Sequence, residues 1–238
     1  SDGSTGFFDY TVAYTAISET VEKTSFSLME ALAEALARRL LEFPEIWAAK
    51  VTVKKPEPPL KGTFDHVGVT IRREKEKHLV YVGLGSNLGD RKRNICRALE
   101  MLHDSPLVEV VRSSPILETE PEGVKDQPWF LNCVAELWTI AQPLELVRLC
   151  HEIELELGRE RTVRWGPRTV DVDVLLFGHK IISTGELVVP HPRLKERLFV
   201  LIPLYTLRPD LVLPTGESVA DLIKNLAPFR SKILPYRG

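Results

Sequence analysis

A chain of 238 residues, 44% hydrophobic and 27% charged, is long enough for one or two domains with ordinary buried cores. Its net charge of −2 argues against a dedicated nucleic-acid or membrane-surface protein, and no apolar run is long enough to span a bilayer. Cys96, Cys133 and Cys150 are odd in number, widely spaced and in largely apolar contexts; they read as reduced core residues of a cytoplasmic or organelle-matrix protein, not as a zinc site or disulfide framework.

Residues 1–6 read as a flexible tail outside the fold. Residues 11–21 suit either a helix or a strand. Residues 27–41 are a clearer helix: Leu28, Leu32, Leu36 and Leu40 form one apolar stripe, and Ser27 with Glu30 forms a capping box at its start. Strands are predicted at 51–54 and 66–71, joined by a proline-rich segment at 56–62. The charged run from Ile71 to His78 is read as a domain boundary dividing 1–78 from 79–238, with a polar strand end as the alternative.

Beyond it, 79–85 is a β-rich run, and 92–103 has Ile95, Leu99 and Leu102 at helical spacing. Strands follow at 107–113 and 131–140. Residues 143–157 read as a helix with Pro143 near its start and Gly158 just past its end. A last strand is predicted at 170–177, then proline-containing loops and a short helix at 219–226. The order β-α-β-β-α-β is the ferredoxin-like split arrangement, so the fold class is α+β: a mainly antiparallel sheet with helices packed on one face.

The chemistry concentrates where a cationic loop meets the last strand, Arg164-Trp165-Gly166-Pro167-Arg168-Thr169-Val170-Asp171-Val172-Asp173. Residues two apart in a strand face the same side, so Asp171 and Asp173 point together. Such a pair suits Mg²⁺, a hard ion that takes oxygen ligands and keeps positions for phosphate. Arg159, Arg161, Arg164 and Arg168 precede the acids, and guanidinium groups fork onto phosphate oxygens. The combination points to phosphoryl-type transfer from a nucleotide. Alternatives stand beside each element. The acids also suit the solvated face of an edge strand, the arginines a solvated surface or nucleic-acid patch, and Trp165 a core position.

This segment, Arg164 to Phe177, resembles the signature of the 6-hydroxymethyl-7,8-dihydropterin pyrophosphokinase family. Four further motifs agree in order: Val82-Gly83-Leu84-Gly85-Ser86-Asn87-Leu88-Gly89-Asp90; Glu118-Thr119-Glu120-Pro121-Glu122-Gly123 with Gln127-Pro128-Trp129-Phe130-Leu131-Asn132; Glu154 with Gly158-Arg159-Glu160-Arg161; and Pro190-His191-Pro192-Arg193 with Arg197-Leu198-Phe199-Val200. The resemblance covers 79–226. It implies transfer of pyrophosphate from ATP to the hydroxymethyl oxygen of the pterin, with release of AMP. It also implies two Mg²⁺ ions on Asp171 and Asp173, and a phosphate clamp of Arg159 and Arg168. ATP contacts are implied for Glu154, Arg161, Arg164, Trp165, His191 and Arg197. A pterin pocket is implied for Thr119, Phe130, Asn132 and Phe199. On the residues alone, His191 suits a packed turn, the two phenylalanines the core, and Glu154 a solvated helix face. Glu120 and Glu122 depart from the apolar or proline residues common at those positions.

The N-terminal part resembles the C-terminal half of dihydroneopterin aldolase. The matching residues are Val12-Ala13-Tyr14, Ser27-Leu28-Met29-Glu30, Lys54-Lys55-Pro56 with Pro58-Pro59, and Asp65-His66-Val67-Gly68-Val69. The resemblance makes Tyr14, Glu30 and Lys55 the aldolase-like residues, with Lys55 beside the carbon–carbon bond to be broken; a solvated strand-end lysine is its plain alternative. The family's first two strands and the glutamate they carry belong before Tyr14, where only a short stretch of chain stands. The expectation is therefore a truncated α+β piece without aldolase activity of its own, whose exposed strand edges associate with another copy. A bifunctional enzyme in the full-length chain is the alternative.

Overall fold

The computed structural model describes residues 9–43, 45–57, 59, 61–63, 65–122, 126–159, 166–226 and 232–237. The chain divides into two compact units, Ser1–Glu76 and Lys77–Gly238.

In the first unit, α1 (Tyr10–Lys23) settles the ambiguity of residues 11–21 in favour of a helix. Asp9 caps it, its carboxylate accepting the Thr11 N–H at 2.8 Å. Helix α2 (Met29–Leu41) packs on the antiparallel hairpin of β1 (Ala48–Lys55) and β2 (Val67–Glu74). The predicted capping box does not form. The helix begins at Met29 with Leu28 at the cap position and no side-chain cap, so Ser27 lies one residue too early. The buried stripe is Ala33, Leu36 and Ala37, whereas Leu28 is largely exposed. Small alanines on that face let the helix lie close over the two strands.

The second unit follows β3 (His78–Ser86), α3 (Arg91–Asp104), β4 (Val108–Ser113), β5 (Leu117–Thr119), β6 (Phe130–Thr139), α4 (Pro143–Glu156) and β7 (Asp171–Phe177). A small hairpin of β8 (Ile182–Ser183) and β9 (Val188–Val189), α5 (Leu198–Leu207), α6 (Val219–Leu226) and β10 (Ile233–Pro235) complete it. The sheet is antiparallel throughout, in the order β10-β5-β6-β3-β7, and β4 also pairs with β6. Strands β4 and β5 share one edge of β6: β4 takes the end at Ala135–Thr139, β5 the end at Phe130–Asn132. Disregarding β5 and β10, the order β4-β6-β3-β7 is the ferredoxin-like arrangement.

Helices cover both faces of this sheet, not the one face expected. Val80, Val82 and Leu84 pack with Ile95, Ala98 and Leu102 of α3 and with Leu146, Cys150 and Ile153 of α4. On the other face, Tyr81, Val134 and Leu175 pack with Val200, Leu201 and Leu204 of α5 and Val219 of α6. Central strands buried on both sides read as continuous apolar runs, which hides the second layer from periodicity. Cys133 and Cys150 lie in the core as expected, but Cys96 on α3 is exposed. No helix among the described residues is long and apolar enough to cross a membrane.

Candidate active site

The site is a cleft where β3, β6 and β7 end together. Gly83 and Gly85 of β3 stand opposite Asp173 and Asp171 of β7 on one side, and opposite Val134 and Asn132 of β6 on the other. One row across the sheet therefore reads Asn132, Gly85, Asp171. At the usual strand spacing its outer members are about 10 Å apart, with a bare glycine between them. A side chain at Gly85 has no room: its Cβ would stand 2.9 Å from Asn132 Oδ1. The glycines of the Val82–Gly85 motif are thus a flat floor, with the Leu175 side chain close against Gly83 on the same face.

One wall reads hydrogen bonds. Asn132 Nδ2 donates to Thr119 Oγ1 at 2.8 Å, which leaves Asn132 Oδ1 over Gly85 and the Thr119 hydroxyl proton to be donated onward. Both side chains are buried, and Phe130 and Phe199 line the same cleft. The four residues predicted for a flat heterocycle are brought together.

The opposite wall is charged. Helix α4 ends on Gly158 at φ +76, a left-handed conformation suited to glycine. The reversed chain returns the Arg159 N–H to the Glu154 carbonyl at 2.9 Å and turns the Arg159 guanidinium onto Asp171 at 2.6 Å. Arg168 also pairs with Asp171. Asp173 is the more enclosed acid; burial first, then neighbouring Asp171, pushes it up to about 6.

Glu154 has a different place from the one expected. It is buried, does not line the cleft, accepts the Val172 N–H at 2.8 Å and pairs with Arg159. Burial raises it to about 7. It anchors β7 and Arg159 from below, because the face of α4 that carries it packs on the sheet.

His191 and Arg197 close the cleft, on the segment after β9. The His191 N–H donates to the Leu175 carbonyl at 2.9 Å, and His191 Nδ1 accepts the Arg193 N–H at 3.2 Å. The proton of the neutral ring is thereby assigned to Nε2. Burial, and next the Arg197 charge, push the His191 pKa down to about 4, so the ring is neutral near pH 7. Arg161, Arg164 and Trp165 lie outside the described residues. Among described residues no group of three or more His, Cys, Asp or Glu could hold a metal ion, but two carboxylates completed by substrate phosphates are a normal Mg²⁺ set.

Asn87 and Gln127 stand within the motifs of the sequence but carry no role there. The structure buries Asn87 between the two walls: its Nδ2 donates to Gln127 Oε1 and to the Pro128 carbonyl, both at 3.1 Å, and its Oδ1 accepts the Arg168 N–H at 2.8 Å. An asparagine directly after a glycine-rich strand end was the available signal. In the first unit Tyr14, Glu30 and Lys55 lie on α1, α2 and β1, and all three are exposed.

Comparison with known proteins follows the same division. Residues 81–209 match the family described as 7,8-dihydro-6-hydroxymethylpterin-pyrophosphokinase, and residues 1–72 match dihydroneopterin aldolase. The chain is 51% identical over 127 residues to the 2-amino-4-hydroxy-6-hydroxymethyldihydropteridine pyrophosphokinase of Bacillus subtilis, covering 53% of this chain and 76% of that protein. It is 46% identical over 144 residues to that of Pseudomonas aeruginosa, covering 60% of this chain and 89% of that protein. It is also 37% identical over 224 residues to the folic acid synthesis protein fol1 of Schizosaccharomyces pombe, covering 89% of this chain but 31% of that one. Among solved structures, an HPPK-DHPS in complex with substrates superposes with a TM-score of 0.54 at 14% identity, over 64% of this chain and 44% of that one. The wild-type HPPK-DHPS of Plasmodium falciparum with pteroate gives a TM-score of 0.53 at 15% identity, over 66% and 43% of the two chains. At such identities the likeness is one of fold.

Proposed function

The chain belongs to the 7,8-dihydro-6-hydroxymethylpterin-pyrophosphokinase family, and on that premise we propose how its cleft works. The protein is a pyrophosphokinase of folate biosynthesis with ATP as co-substrate. The hydroxymethyl oxygen of the pterin attacks the β-phosphorus of ATP. The bond from that phosphorus to the α–β bridging oxygen breaks, AMP leaves with the oxygen, and the alcohol proton is released.

The row Asn132, Gly85, Asp171 is the observation that carries this reading. A flat ring lying over the glycine floor, with its polar edge on Asn132 and Thr119, directs its substituent toward the acids and arginines. Phe130 and Phe199 hold its faces. Arg159 and Arg168 clamp the phosphates, and both are already aimed at the site by their pairing with Asp171. His191 offers its Nε2–H and Arg197 its guanidinium to the triphosphate. The donor set of Asp171 and Asp173 fits two Mg²⁺ ions, which when bound supply charge neutralisation and a lowered alcohol pKa. What this chain's residues contribute is alignment of the alcohol with the phosphorus and a preorganised positive wall.

The test is AMP formation from ATP by the purified chain. It is expected to require both the hydroxymethyl pterin and Mg²⁺; AMP release at the same rate without pterin overturns the reading. A second reading, aldolase activity in the full-length protein, is favoured by the match of residues 1–72. Conversion of dihydroneopterin that is lost in Lys55→Ala would establish it.

A further inference from the structure

Glu122 faces the nucleotide side of the cleft from the pterin side. Its Oε2 accepts from Arg193 Nη2 at 2.9 Å and lies 3.7 Å from Arg197 Nε, beyond hydrogen-bond reach. That Nε is buried and has no hydrogen-bond partner among the described residues. Arg197 also stacks near Phe199, 5.5 Å from the ring centroid, so its guanidinium is held in place and not free to seek a partner in solvent. A largely enclosed guanidinium whose buried Nε–H is unsatisfied is suited to an anion. Glu122 neutralises it from a distance without completing its hydrogen bonds. A carboxylate and a phosphate oxygen want the same guanidinium edge. An incoming triphosphate must therefore displace Glu122, or lie against its negative charge.

We propose that Glu122 is an intramolecular counter-ion that competes with the triphosphate of ATP for Arg193 and Arg197, and so sets the nucleotide affinity of the site. The inference rests on placing the triphosphate at Arg197, as proposed above. Its carboxylate stands in for a phosphate oxygen while the nucleotide is away, keeping the positive wall ordered. Nucleotide binding transfers the guanidinium edge from an internal anion to an external one. By linkage, whatever frees Glu122 from the arginines strengthens nucleotide binding equally.

The test is calorimetric binding of α,β-methylene-ATP with Mg²⁺ to the full chain. Glu122→Gln keeps the size and removes the charge, and is expected to bind about fivefold tighter at low ionic strength, with the gain shrinking as salt is raised. In an Arg193→Gln background the gain should shrink without vanishing, because the hydrogen-bonded pair is already broken while Arg197 still faces the carboxylate. Glu122→Ser provides an independent removal of the carboxylate, and unfolding midpoints show whether each variant is folded. A merely structural role would lower the midpoint without tightening binding. Unchanged or weaker nucleotide binding in folded Glu122→Gln and Glu122→Ser overturns the competition. Arg197→Ala separates the two ideas: if it leaves nucleotide affinity intact, the placement of the triphosphate fails instead.

Discussion

Asn87 and Arg168 are joined twice: the Arg168 N–H donates to Asn87 Oδ1 at 2.8 Å, and the Asn87 N–H donates to the Arg168 carbonyl at 3.1 Å. The same asparagine holds Gln127 and Pro128 through its Nδ2, so one buried side chain fixes both the segment carrying Arg168 and the segment leading to Phe130.

Asn87→Ala leaves the part-buried Arg168 N–H and the Pro128 carbonyl without these partners. A loss of about 1–3 kcal/mol of stability is expected. Both walls should loosen, so the KM values for ATP and pterin should rise together while kcat falls at least about tenfold. Thermal unfolding and steady-state kinetics measure this. A change confined to one substrate would show that Asn87 does not couple the walls.

Gly85→Ala places a methyl group 2.9 Å from Asn132 Oδ1 and 4.0 Å from Phe130 Cδ1. The amide must move, and its bond to Thr119 goes with it. Overpacking of this kind costs about 1–3 kcal/mol. Pterin affinity is expected to fall about tenfold or more, with nucleotide affinity nearly unchanged, as read by separate binding titrations. Equal losses for both ligands would count against the glycine floor as the pterin platform.

Asp173→Asn removes a charge that burial and Asp171 both disfavour. The folded protein should be at least as stable as before near pH 7, because an enclosed acid beside another acid is replaced by a neutral amide of the same shape. Turnover should nevertheless fall by about a thousandfold or more, because the carboxylate is assigned to the Mg²⁺ that would neutralise the phosphates. Near-normal turnover at saturating Mg²⁺ would remove Asp173 from the machinery.

His191, with its folded pKa near 4, lies below the usual histidine value of about 6.5. Between those values the unfolded chain binds a proton that the folded chain does not. Stability contributed by the neutral ring is therefore complete above about pH 6.5 and is lost as pH falls toward about 4. His191→Gln should flatten the acid side of the stability profile by on the order of 2 kcal/mol between neutral pH and about pH 4.5. The ring resonances of His191 should not titrate between about pH 5.5 and 8. A midpoint near 6.5 by NMR contradicts the neutral donor assigned here.

The ferredoxin-like core was legible in the chain because its signals are local. Short β-rich apolar runs mark β3, β6 and β7; Pro143 and Gly158 bracket α4; and a period of two puts Asp171 and Asp173 on one face without reference to any other segment. Motif order then named the chemistry and most of the cleft. What stayed hidden depends on distant partners. β5 and β10 are three residues long, too short to show a period, and exist because the edge of β6 at Phe130–Asn132 and then β5 itself offer unpaired backbone. α5 is apolar all round with Pro203 inside it, so no stripe distinguishes it from a strand until the second face of the sheet is there to be covered. Glu154 reads as a solvated helix residue until β7 arrives with an N–H to be met. Nor could spacing show that Glu122 meets Arg193, 71 positions away, or that Asn87 meets Arg168, 81 positions away. Local periodicity specifies which face a residue takes on its own element; only packing decides which charge, amide or floor it then confronts.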